Sequence, residues 1–198
     1  MAVHSLVHIT SDFPFTKSSV CYASKTAFNI IVREKGEEAK RRMRQLLASC
    51  EGNPLTAVLC GHIFESYAIA SLENGGKFTC RELVSGNTKV QPKKTKLTIP
   101  KSKKKGVDKV LPTQKPDQLY VPITRNYAGI DAWMPGIGAF QMTIGKRHSI
   151  NRRVKVDLAK LGKGNKLYWV LPPAYYDSFT KQSPHDIEQH AIKINYPK

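Results

Sequence analysis

Hydrophobic patterning predicts an α/β fold for this chain, with elements in the order helix, strand, two-strand hairpin, helix, strand. Three observations carry that expectation. An apolar stripe of helical period runs between Asn53 and Gly76. Ala139 to Ile144 alternates apolar and polar at period two behind the turn-forming run Met134-Pro-Gly-Ile-Gly138, the mark of a β-hairpin. A second amphipathic stretch then leads into Lys166-Leu-Tyr-Trp-Val-Leu171, a buried strand closed by Pro172-Pro173.

Residues 1–24 show no periodicity and are expected to be irregular. From about Ser24 to Cys50 the pattern becomes a basic amphipathic helix. Asn53-Pro54 starts the next helix, with Asn53 as N-cap and Pro54 in the first turn, and Gly75-Gly76 stops it. His62, Glu65, Ile69 and Leu72 fall on one stripe, so the Glu65 carboxylate needs a partner there. Lys77 to Val84 reads as a strand. Residues 87–117 are expected to be a mobile lysine-rich loop: from Lys89 to Lys115 there are ten lysines against the single Asp108, with three prolines interspersed. Leu119 to Thr124 is a further strand, placed at a sheet edge by Pro122. After the hairpin, Ser149 or Asn151 caps a helix with Val154, Leu158 and Leu161 as its buried stripe, ended by Gly162. In the tail, Ile192 to Tyr196 is expected to add an edge strand.

The 198 residues fit one domain, and 40% hydrophobic content puts the chain among globular proteins. A formal charge of +17 points to a polyanionic partner, nucleic acid or an anionic membrane surface. The membrane is disfavoured, because no apolar run spans a bilayer and no helix joins a broad apolar face to aromatic anchors. Met1-Ala-Val-His-Ser-Leu6 lacks the features of a signal peptide. Cys21, Cys50, Cys60 and Cys80 are too scattered for a zinc ribbon and are expected to be mostly reduced, buried thiols.

The hairpin carries the chemistry. If its turn centres on Gly136, Asp131 and Gln141 fall opposite each other, Phe140, Met142 and Ile144 face a core, and Gln141 and Thr143 share the outer face. A carboxylate and an amide oxygen on one surface suit a hard divalent cation. Downstream, Arg152 and Arg153 on the second helix and Lys101, Lys103, Lys104 and Lys105 in the lysine-rich run are candidate contacts to a nucleic-acid backbone. Lys101-Ser-Lys-Lys-Lys105 also matches a nuclear-import type of basic run.

The element order, with Glu65 on the helix, Asp131 on one hairpin arm and Gln141-x-Thr143 on the other, resembles the PD-(D/E)xK restriction-endonuclease-like superfamily. More narrowly, Gly61-His-Ile-Phe-Glu65, Gly75-Gly-Lys-Phe-Thr-Cys-Arg-Glu-Leu83, Ile130-Asp-Ala-Trp133 and Phe140-Gln-Met-Thr-Ile-Gly-Lys-Arg-His-Ser-Ile150 are similar to the C-terminal region of Crinkler effectors. The resemblance covers about residues 55–175. It implies a restriction-endonuclease-like core, a central mixed sheet of about four to five strands flanked by helices. It also implies Mg²⁺ or Mn²⁺ held by Glu65, Asp131 and Gln141, and a metal-dependent nuclease acting on DNA. The superfamily's motif lysine is replaced by Thr143, so Lys146 or His148 would have to assist the water or the leaving group. The alternative is a nuclease-like fold that has lost catalysis and binds nucleic acid or a host nuclear protein. By the same resemblance, the domain would come from a longer secreted precursor and act in a target-cell nucleus.

Overall fold

A computed structural model describes residues 54–85, 92–124, 127, 129–162 and 164–195. The irregular segment 1–24 and the basic helix expected over 24–50 lie outside the described residues. Two compact units divide the chain, residues 1–67 with 196–198 and residues 68–195. Helix α1, Pro54–Asn74, runs from the first into the second. Its start at Pro54 and its stop before Gly75 match the sequence signals. Gly75 is left-handed at φ 67, and its N–H donates to the Leu72 carbonyl at 3.1 Å. A Cβ there would sit 2.6 Å from the Lys101 nitrogen, so the stop also needs glycine for space.

The second unit holds an eight-stranded mixed sheet, not the four to five strands expected. Its strands are β1 (Gly76–Glu82), β2 (Lys94–Ile99), β3 (Lys105–Val107), β4 (Tyr120–Pro122), β5 (Ala132–Met134), β6 (Gly138–Met142), β7 (Lys166–Leu171) and β8 (Gln189–Lys193). They lie in the order β2-β1-β8-β7-β6-β5-β4-β3. Strands β6, β7 and β8 run parallel, and β1 and β5 flank them antiparallel. Helix α2, Arg152–Leu161, links β6 to β7, as a parallel pair requires.

Several expectations change. Two strands, β2 and β3, form inside the span 87–117 read as a loop, and they are the sheet's two edges. Lysines at Lys94, Lys96 and Lys105 keep those edges soluble, a function that composition alone does not separate from a linker. Strand β8 is central, between β1 and β7, not an edge. Pro122 sits one strand in from the edge, paired with Val107. Cys80 is a free, buried thiol as expected, but Cys60 is disulfide-bonded.

One face of the sheet is packed by α2. Trp133, Ala139, Leu167, Trp169, Leu171 and Ala191 meet Val154, Leu158, Tyr176 and Phe179 there. Asp157 is also fully buried on α2. It accepts a hydrogen bond from Tyr127 Oη at 2.8 Å and from Lys160 Nζ at 3.0 Å, and Arg153 Nε lies 3.5 Å away. Near the β1–β8 end, Arg81 is 6% exposed and donates to the carbonyls of Tyr176 and Phe179, both at 2.6 Å, clasping β1 to the short helix α3 (Pro173–Tyr176) and the turn beyond it.

Burial pushes the Cys80 thiol from 9.0 up to about 11, and the Tyr168 and Tyr176 phenols from 10.0 up to about 12. An acid whose folded pKa is raised holds its proton better when folded. The stability it lends is therefore complete below the unfolded pKa and is lost as pH rises to the folded value. Urea unfolding is expected to lose on the order of 2 kcal/mol per group between about pH 9 and pH 12. A flat stability profile over that window would contradict the burial of these groups.

Candidate functional site

Hairpin register sets the site. Ala132 pairs with Phe140, Trp133 with Ala139 and Met134 with Gly138, so the turn centres on Gly136 as the sequence suggested. Asp131 lies one residue before β5. Its N–H donates to the Phe140 carbonyl at 2.9 Å, and its carboxylate accepts the Met142 N–H at 2.7 Å. It thus grips the β6 backbone on both sides of Gln141.

Gln141 does not lie on a wet outer face. It is 3% exposed, because β6 is a central strand next to parallel β7 and all five of its residues are buried. Thr143 is 8% exposed and Ile144 half-buried. Gln141 Nε2 is 3.1 Å from His148 Nδ1, and its Oε1 is buried with no hydrogen-bond partner. Turning the amide over would satisfy the oxygen and strand the NH₂ instead. Either way, one polar group of this amide has no protein partner, at a cost of about 1–3 kcal/mol.

His148 is exposed, with its ring tilted on Trp169 at 5.5 Å. Its Nδ1 is also 3.0 Å from the Ser149 carbonyl, which can only accept, so this nitrogen either donates there or accepts from the Gln141 NH₂, as the tautomer dictates. Its backbone N–H donates to Gln182 Oε1 at 3.0 Å. Gln182 in turn is fixed by Gln189, which is 1% exposed: Gln189 Oε1 accepts from Gln182 N at 2.9 Å and from Trp169 Nε1 at 3.0 Å. Gln189 Nε2 donates to the Gln182 carbonyl at 2.6 Å. Sequence reading missed Gln182 and Gln189, which sit in a tail without periodicity.

Of the predicted site residues, the structure sets Gln141 against His148, while Asp131 holds the backbone of the strand that carries Gln141. Lys146 is exposed on the loop after β6. Thr143 turns its hydroxyl to the Gly145 N–H at 3.0 Å, so it shapes that loop. Glu65 belongs to the first compact unit, where its carboxylate lies 3.7 Å from His62 Nδ1. Arg153 is engaged by Asp157 and stacks over the Tyr127 ring at 4.5 Å. Arg152 and Lys101, Lys103, Lys104 and Lys105 are exposed. Among the described residues no three His, Cys, Asp or Glu side chains gather as metal ligands. One carboxylate and one amide oxygen meet only the minimum for Mg²⁺, which keeps several waters and takes the remainder from substrate phosphates.

Comparison with known proteins gives two relatives. Crinkler effector protein 15 of Phytophthora infestans is 47% identical over 199 residues, covering 99% of this chain and 32% of the relative. Crinkler effector protein 16 of the same organism is 46% identical over 199 residues, with the same coverage. The chain is a homologue of Crinkler effectors. It spans about a third of the length of these Crinkler relatives. No family model matches, and no solved structure matches. The Crinkler resemblance read from the motifs therefore holds, while the restriction-endonuclease-like core has no support from a solved fold. No helix of the described residues in this Crinkler homologue is long and apolar enough to cross a membrane.

Gln189→Leu removes every hydrogen bond of the buried amide while filling its volume. It is expected to cost about 2–3 kcal/mol, because the Gln182 and Trp169 groups lose their partners. Nuclear magnetic resonance of the His148 ring should show it released from Trp169. An unchanged ring-current shift in the folded variant would refute the relay.

Proposed function

We propose that this chain is the host-acting module of a secreted Crinkler effector, and that it binds the phosphate backbone of nucleic acid in the nucleus of the target cell. The observation that supports this reading is the state of its cations. Arg152, Lys101, Lys103, Lys104 and Lys105 are exposed, and none is ion-paired among the described residues. Together with a net charge of +17, they offer phosphate contacts whose formation releases counterions. The basic run 101–105 also suits nuclear import.

A second reading, a Mg²⁺- or Mn²⁺-dependent endodeoxyribonuclease of the PD-(D/E)xK kind, is favoured by the contact of Gln141 with His148 and by Asp131 on the adjoining strand end. In that reading Asp131 and Gln141 would hold a metal that polarises a phosphodiester, while His148 or Lys146 would handle a proton. Binding without catalysis is preferred because Gln141 and Thr143 are neutral where the superfamily motif is charged, and because Asp131 already spends a carboxylate oxygen on the Met142 N–H.

Duplex DNA should bind in EDTA, with affinity falling several hundredfold between 50 and 200 mM salt for about five phosphate contacts. Plasmid incubated with Mg²⁺ or Mn²⁺ should stay supercoiled. Nicking that disappears in Asp131→Asn would establish the nuclease instead, and absence of DNA binding at low salt would remove nucleic acid as the partner.

A further inference from the structure

The loop leaving β6 and the segment before β8 form the two walls of an open cleft of about 740 Å³. Arg147, His148, Ser149 and Arg152 line one wall, and Lys181 and Ser183 line the other. Two guanidinium groups, one ammonium and three hydroxyls, the third being that of Thr180, thus line one space, and among the described residues no carboxylate lines it. Asp186, just beyond the second wall, is held by Lys155 at 2.5 Å. The ten-residue helix α2 begins at the cleft, adding the partial positive charge of its N-terminus.

The walls are held at fixed spacing. The Ile150 N–H donates to the Ser183 carbonyl at 3.4 Å, and the His148 N–H donates to Gln182 Oε1 at 3.0 Å. Gln182 is anchored by buried Gln189. A cationic space with preset walls loses little ordering entropy when an anion enters. Two guanidinium groups with hydroxyl donors suit a tetrahedral oxyanion better than a planar carboxylate or a halide.

We infer that this cleft is a phosphate-binding site, made by Arg147, Arg152 and Lys181 across its two walls. The inference rests on the nucleic-acid reading only for the source of the phosphate. The site itself stands on the cleft, and it separates a local binding point from the diffuse field of a basic chain.

Pyrophosphate is the probe, titrated calorimetrically into the full chain in metal-free buffer, with the Ser149 and Ser183 amide shifts followed in parallel. Arg147→Ala/Lys181→Ala should weaken binding about tenfold or more, as loss of charge-assisted hydrogen bonds predicts. Lys77→Ala/Lys109→Ala, which removes the same charge from two exposed lysines elsewhere, should change it less than about twofold. Equal losses in the two double variants, or wild-type titrations that never saturate, would overturn the site. A short DNA strand that displaces pyrophosphate supports a nucleic-acid source. A strand that fails to displace it, with the cleft dependence intact, leaves the phosphate site standing and removes the nucleic-acid reading.

Discussion

Gln189, at the start of the central strand β8, has its side chain sealed from water and its amide fully used. Its oxygen accepts from Trp169 and from the Gln182 backbone, and its nitrogen donates to the carbonyls of Gln182 and Pro184, at 3.2 Å for the latter. A buried amide satisfied on every side fixes a unique arrangement, and any one bond lost leaves a polar group stranded in an apolar core. From this point order spreads outward. Gln182 is set by Gln189, the His148 backbone by Gln182, and the His148 imidazole by Trp169 beneath it and Gln141 beside it. The loop that carries Arg147 and His148 therefore takes its position from the middle of the sheet.

Charge is divided by the same architecture. Arg153 and Lys160 are drawn to buried Asp157, where Tyr127 supplies a further hydrogen bond, so these cations hold α2 on the sheet. Arg152, one residue earlier, projects from the first turn of the helix into the cleft. Neighbouring arginines of identical chemistry thus do different work, because a helix turns about 100° per residue and only one of the two faces the buried aspartate. The high positive charge is in part structural, and the cleft concentrates part of what remains.

Local signals made much of this legible in the sequence. The Gly136 turn and the buried Lys166–Leu171 strand follow from turn chemistry and hydrophobic runs, and of the two capping candidates, Ser149 and Asn151, the helix uses Asn151. What failed depended on tertiary neighbours. Gln141 alternates as an outward residue should, yet it is buried, because β7 lies parallel beside β6 and α2 covers that face. Strands β2 and β3 were hidden by lysines that are compatible with both an edge strand and a linker. The Gln182–Gln189 pair carries no periodic signal at all, since its meaning lies in contacts made across the sheet. The pairing of Asp131 with β6 was visible, but not that its carboxylate would cap the Met142 N–H.

The proposed phosphate cleft lies where the β6 loop and the start of α2 meet the segment before β8. Backbone amide shifts during titration with a short DNA duplex test this most directly. Residues 145–152 and 180–184 should move first and saturate together. Saturating duplex that leaves both segments unshifted would contradict it.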